Sequence, residues 1–188
     1  MIKKILLALF AVVVLAMIFG TEDDHNHLTC VNEISDGGVA QASNIEKNIP
    51  NFTAKTIDGE TVTNQIFTLK KITVVNIWGT FCPPCIEEMP ELGEMARTLP
   101  TDAQIIGIVC DASEDSAQQI NKARQITQEA RANFVNIVPD AQLIKFMESI
   151  EAVPTTIFVN SRGEIVGEMI IGADVEGYKD ELKKLLKN

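Results

Sequence analysis

Basic charge and histidine are both scarce in this sequence. Lys and Arg number 16 against 26 Asp and Glu, a formal net charge of −10 over 188 residues. That balance argues against non-specific binding to nucleic acid or to an anionic membrane surface, since both need basic surface. The two histidines are His25 and His27, and none follows them. With Cys30 they make no strong ligand spacing, so they are expected to be solvated, with no metal site and no cofactor. No internal repeat and no low-complexity tract is present, so the chain is neither a repeat array nor a biased tail. What is there is ordinary globular material. Hydrophobic residues make up 46% of the chain, enough for the core of one domain with a leader in front of it.

The leader is a separate piece. Lys3 and Lys4 precede an unbroken apolar run from Ile5 to Gly20, and the acidic, polar "TEDDHNH" follows. A positive start, an apolar middle and a polar exit are the layout of a secretory leader. Residues 1–20 therefore read as a signal peptide or as a retained N-terminal membrane anchor. The run is slightly short of the roughly 20 residues of a full span. Against cleavage, Ile18 and Phe19 stand where small residues are wanted. A lipid attachment at Cys30 fits poorly, because "HLTC" lies well past the run and lacks small residues. Either reading keeps the lysines inside and exports the rest of the chain. Disulfides persist outside the cytoplasm, so the four cysteines can be oxidised, reduced or cycled there.

Residues 21–45 read as a polar tether with "DGG" in its middle, and residues 46–188 as one domain. The domain opens with alternating segments around Asp58–Gly59, a hairpin signal. "ITVVNIW", Ile72 to Trp78, is apolar apart from Asn76 and suits a strand buried on both faces. "CPPC" follows at once and leads into a helix, "IEEMPELGEMARTL", with Pro90 inside it. Proline is tolerated in the first helical turn, where N–H groups have no intrahelical partner. A second buried strand spans Ala103 to Cys110. A helix follows, with a capping signal at Ser113 and apolar positions at Ala117, Ile120 and Ala123. "FVNIV" and "PDAQLIKFMES" read as a small β-α insertion. "TTIFVN" and "EIVGEMIIG" are strands joined by the tight turn "SRG". The last helix carries Val175, Tyr178, Leu182 and Leu185 on one face. The order implies an α/β fold: a central mixed sheet flanked by helices, with a parallel core and an antiparallel hairpin at its edge.

Cys82 and Cys85 could be a redox dithiol, half of a metal site or a structural staple. A permanent staple is disfavoured against the redox reading, since so short a loop gains little chain-entropy stabilisation. A cysteine at a helix N-terminus feels the positive end of the macrodipole, which stabilises thiolate. Cys82 is therefore the expected attacking thiol, with Cys85 resolving the mixed disulfide. Pro83 and Pro84 offer no N–H to the Cys82 sulfur, so its thiolate is less stabilised and the dithiol is expected to be the better reductant.

Several features together carry a resemblance to a known family. A buried strand runs into Trp78-x-x-x-Cys82-Pro83-Pro84-Cys85 and a helix; "EEMP" follows the pair; "VPTT", Val153 to Thr156, precedes a later strand; and "VNIVPDAQLIKFM" lies just upstream of it. Over about residues 46–187 the chain resembles the exported thioredoxin-fold thiol–disulfide oxidoreductases of the TlpA/ResA type. It departs from them at Phe81, where this group often has Trp, and at Asn76, where thioredoxins carry a buried acid. Cys110 has no expected counterpart.

The resemblance implies a thioredoxin-like fold and reduction of disulfides in exported proteins, including the apocytochrome cysteines that must be reduced before haem attachment. Electrons would come from a membrane dithiol donor. The chain is expected to be a monomer, extracytoplasmic, and membrane-bound through its N-terminal segment if that is uncleaved. The resemblance also makes Glu88, three residues after Cys85, the acid that manages the Cys85 proton, with Glu87 solvated. It implies a cis Pro154 packed against the cysteine pair and Val153 offering backbone groups to an extended substrate strand, with Trp78 also at the substrate side. Asn76 is expected to be a satisfied buried amide. Cys110 is expected to be an inert buried thiol, with a disulfide to Cys30 as the alternative.

Three other readings on the same fold are weaker. A copper-handling protein would use CxxxC and a distant histidine. A peroxidase would need Pro-x-x-x-Thr-x-x-Cys, whereas Thr80 stands two residues before Cys82 and the motif's proline is missing. A disulfide-forming oxidant is the runner-up, but usually carries a large helical insertion for which there is no room here.

Overall fold

The computed structural model describes residues 46–187. The leader and the whole of the tether, with His25, His27 and Cys30, lie outside the described residues. Among the described residues no helix is long and apolar enough to cross a membrane.

The chain starts with a short antiparallel hairpin. Strand β1 (Thr53–Thr56) pairs with β2 (Thr61–Thr63) across a turn in which Gly59 takes φ +90°, the left-handed region that favours glycine. A 3-10 turn at Asn64–Leu69 leads into β3 (Ile72–Trp78). Helix α1 (Pro83–Thr98) follows, then β4 (Ala103–Val109), α2 (Ala117–Glu129), β5 (Val135–Val138) and α3 (Ala141–Met147). Strands β6 (Thr155–Asn160) and β7 (Ile165–Ile171) and helix α4 (Val175–Lys187) complete the fold.

The seven strands form one sheet in the order β2-β1-β5-β4-β3-β6-β7. β3, β4 and β5 run parallel; β1 joins β5 antiparallel, and β6 and β7 close the other side antiparallel. This is the expected thioredoxin-like mixed sheet. The segment read as a β-α insertion is part of that sheet, because β5 pairs with both β4 and β1 and thereby ties the N-terminal hairpin on. The expected cap at Ser113 is corrected to Ser116. Ser113 instead closes a turn, its carbonyl accepting the Ser116 N–H at 2.9 Å, so the helix starts one turn later.

All seven residues of β3 are buried, and their alternation sorts them to two faces. Val75 and Ile77 pack with Ile106, Ile108, Leu143 and Phe146 on one side. Val74 and Trp78 pack with Met89, Leu92, Tyr178 and Leu182, under α1 and α4, on the other. Asn76 lies between Val74 and Trp78 and so points to the α1–α4 side. Each large apolar side chain removed from water here contributes about 1.5–3 kcal/mol, which is why this strand is the most deeply fixed element near the site. α1 covers its face of the sheet with Cys85, Glu88, Met89, Leu92 and Met95, a helical stripe in which only Glu88 is charged.

Candidate active site

The end of β3 delivers the chain straight into α1, and Cys82 is that helix's N-cap. Cys82 and Cys85 are joined as a disulfide, with Cα atoms 5.3 Å apart. The Cys82 sulfur accepts the Cys85 N–H at 3.3 Å. The two residues between them are prolines at the first helical positions, so this is the one donor the first turn offers the sulfur. The turn before the pair is clamped from β4's end. Asp111 accepts the Thr80 N–H at 2.9 Å and the Thr80 hydroxyl at 2.6 Å, and the Cys110 N–H donates to the Trp78 carbonyl at 2.8 Å.

Across from the pair lies the loop before β6. The Val153–Pro154 peptide is cis, and the Val153 carbonyl oxygen is 3.4 Å from the Cys82 sulfur. In the dithiol state that contact becomes an S–H to carbonyl hydrogen bond. Pro154 is buried, and its carbonyl accepts the Gly172 N–H at 2.8 Å, tying the loop to the end of β7.

Beneath the pair is a buried carboxyl. Glu88 is 5% exposed, one helical turn beyond the fully buried Cys85. Its Oε1 accepts the Asn76 amide at 2.9 Å, and its Oε2 is 2.9 Å from the Tyr178 hydroxyl. Burial pushes Glu88 up to about 7; the Asn76 and Tyr178 hydrogen bonds pull the other way, and the charge of Glu91 adds to the rise. Tyr178 is likewise held above the usual phenol range, first by burial and then by the Glu88 charge. Chemically, a sulfur pair at a helix N-terminus with a buried acid poised near neutrality behind it can exchange disulfides and move the accompanying proton.

Comparison with known proteins agrees with that chemistry. Residues 45–168 match the AhpC/TSA family. The chain belongs to that family. The thiol–disulfide oxidoreductase ResA of Halalkalibacterium halodurans is 26% identical over 138 residues, covering 73% of this chain and 74% of its own. Among solved structures, a thioredoxin-family thiol:disulfide interchange protein from Chlorobium tepidum superposes with a TM-score of 0.59 at 20% identity, over 75% of this chain and 94% of that one. An exposed lipoprotein thioredoxin from Streptococcus pneumoniae gives 0.56 at 19%, over 72% and 99%. With its Cys82–Cys85 pair, this AhpC/TSA chain is a thiol–disulfide oxidoreductase.

The structure brings Cys82, Cys85, Glu88, Val153 and Pro154 together, and Trp78 lies in the same buried cluster as the two cysteines rather than on the surface. The expected place of Trp78 at the substrate side is not what its burial shows. Trp78 is fully buried on the α1 face, and its indole N–H is committed to Asn136 Oδ1 at 2.9 Å. Gly107 makes room for that bond, since a Cβ there would lie 2.9 Å from the indole nitrogen. The exposed aromatic beside the pair is Phe81, 41% accessible. Asn76 is also corrected: its amide nitrogen is fully used, donating to Glu88 and to the Thr156 hydroxyl at 3.1 Å, but Oδ1 is buried without a hydrogen-bond partner. Glu87 is exposed and Cys110 is buried, as expected.

The site also takes in Tyr178, Thr156 and Asp111, which the sequence does not single out. Tyr178 reads from the sequence only as one of the residues on a single face of the last helix; a lone phenol on an otherwise aliphatic stripe is the signal that it meets a polar partner there. Among the described residues no group of acidic, histidine and cysteine side chains could hold a metal ion.

Proposed function

We propose that this thiol–disulfide oxidoreductase acts as a reductant of disulfides in exported proteins and is itself re-reduced by a membrane dithiol donor. The observation that carries the direction is the donor count at the Cys82 sulfur, one backbone N–H, from Cys85. A poorly solvated thiolate raises the energy of the reduced form, so the dithiol gives up its electrons more readily.

The geometry supports the following cycle. The Cys82 thiolate attacks one sulfur of a substrate disulfide held along the Val153–Pro154 backbone, and the other sulfur leaves as thiolate. Cys85 then yields its proton to Glu88 and attacks Cys82, releasing the reduced substrate. A carboxyl near 7 is matched to that transfer at neutral pH. Val153 would contribute main-chain groups to an extended segment, and Phe81 an exposed apolar contact beside the sulfur. The apolar leader supports an outward-facing location, and apocytochrome reduction is one use consistent with it. The Thr80 hydroxyl, the nearest candidate for a peroxidase threonine, is buried and donates to Asp111.

The test is the equilibrium midpoint of the Cys82–Cys85 couple against glutathione or dithiothreitol at pH 7. A value near or below about −270 mV is expected; one near about −120 mV reverses the direction and makes the chain a disulfide-forming catalyst.

A further inference from the structure

The Tyr178 phenol has one proton and stands between two groups that need it. Its oxygen is 2.9 Å from Glu88 Oε2 and 2.7 Å from the Gly172 carbonyl oxygen, and it accepts the Asp174 N–H at 3.2 Å. A carbonyl oxygen can only accept, so the Gly172 contact requires the phenolic proton. An ionised carboxylate can only accept as well, so its contact with Tyr178 requires the same proton. Both contacts are hydrogen bonds at once only when Glu88 carries a proton of its own and donates it to the phenol oxygen. Two states result. With Glu88 neutral, Tyr178 donates to Gly172. With Glu88 ionised, the hydroxyl turns to the carboxylate and the half-buried Gly172 carbonyl is given up to water.

Gly172 is not a bystander. Its φ of +93° lets one residue present its carbonyl to Tyr178 while its N–H donates to the Pro154 carbonyl at 2.8 Å. One peptide further along, the Val153 carbonyl is 3.4 Å from the Cys82 sulfur. A continuous chain of hydrogen bonds and short backbone links therefore joins the buried carboxyl to the loop facing the disulfide.

We propose that the Tyr178 hydroxyl is a switch that transmits the charge state of Glu88, through Gly172, to the Val153–Pro154 loop. The inference deepens the reductase reading and rests on it for its timing. In the resolving step the Cys85 S–H proton passes to the Glu88 carboxylate. The Cys85 thiolate then bonds to the Cys82 sulfur as the bond from Cys82 to the substrate sulfur breaks, and the electron pair leaves on the substrate thiolate. Glu88 is now neutral, and the Tyr178 proton reorients to Gly172 without leaving the phenol. The loop that holds the substrate strand changes its anchorage at the step that releases the substrate. Tyr178 is thus a positioning residue and takes no part in bond making.

The groups that face this pair come from four elements. Asn76 of β3 and Glu91 of α1 face Glu88, and Thr156 of β6 and the Asp174 backbone before α4 face Tyr178. Tyr178 keeps its proton across the working range, and the disulfide does not titrate, so Glu88 is the group whose charge changes there.

The oxidised full chain, labelled with 15N-glycine and 13C-glutamate in detergent micelles, tests this without any turnover. The Gly172 amide resonance is expected to shift with pH at the midpoint of the Glu88 carboxyl, near 7. In Tyr178→Phe that shift is lost while the Glu88 carboxyl still titrates. In Glu88→Gln, Gly172 stays at its low-pH position at every pH. A wild-type Gly172 resonance that does not move overturns the proposal, as does a shift of wild-type amplitude in Tyr178→Phe. Should Tyr178→Phe not fold, Gly172 still titrating near 7 in Glu88→Gln overturns it too. None of these outcomes depends on the redox midpoint, so the switch and the reductase direction fail separately.

Discussion

Replacing Glu88 by Gln should make the protein more stable, and only above a definite pH. The carboxyl sits at about 7 in the folded chain against an ordinary 4.5, chiefly because burial penalises its charged form. Below about 4.5 both folded and unfolded chains hold the proton and the group contributes no pH dependence. Between 4.5 and 7 the unfolded chain has lost its proton while the folded chain retains it, so unfolding becomes easier as the pH rises. Above 7 the full penalty is present, about 3 kcal/mol at 1.36 kcal/mol per pH unit. Gln keeps the shape, accepts from Asn76 and has no charge to bury. Urea unfolding of the oxidised protein at pH 4, 6 and 8, wild type against Glu88→Gln, isolates this one group from the other acids. The two proteins should be close at pH 4, and the variant should be the more stable at pH 8 by about 3 kcal/mol, roughly 10 °C in Tm for a domain of this size. Parallel pH profiles would refute the reasoning, because they would mean that Glu88 is solvated and unable to serve as a proton acceptor near neutrality.

Cys85→Ala should trap Cys82 in mixed disulfides with substrate proteins, visible as reducible higher-mass bands on non-reducing gels, whereas Cys82→Ala should form none. Asp111→Ala removes both bonds that clamp Thr80 before the pair. It should cost roughly 1–3 kcal/mol in urea unfolding and slow reaction with a small disulfide, with Asp111→Asn recovering part of both. Gly107→Ala puts a Cβ where the Trp78–Asn136 hydrogen bond runs. The overpacking should cost roughly 1–3 kcal/mol, and the Trp78 fluorescence should change with it, since this is the chain's one tryptophan.

Much of the site could be read along the chain because it is built from neighbours. A buried strand, an N-cap cysteine, two prolines and an acid three residues further on are all local, and helix geometry alone brings Cys85 and Glu88 onto one face. The cis Pro154 came from a family pattern that is also local. The misses are long-range. Tyr178 meets Glu88 across 90 residues and Trp78 meets Asn136 across 58, and neither pairing follows from periodicity. Trp78 shows why. In a strand buried on both faces, alternation fixes which residues share a side but not which side meets solvent at the strand's end. The Asn76 orphan has the same origin: a satisfied amide is the usual expectation for a buried one, and only the register of β3 against β6 and α1 uses up its donors while leaving its oxygen bare.

The fold also separates the site from the point where the chain enters the domain. Cys82 follows the C-terminal end of β3, while the N-terminal end, Ile72, pairs with Asn160 at the start of the β6–β7 turn. The entering segment is fastened beside that turn: Ile49 donates to Gly163, Ile165 donates to Lys47, and Asn48 bridges Glu164. The length of β3, roughly 20 Å, thus lies between entry and chemistry. The segment from Lys47 to Ile49 is therefore fastened at the end of β3 opposite the sulfur pair, and the backbone that faces Cys82 is left to the Val153–Pro154 loop.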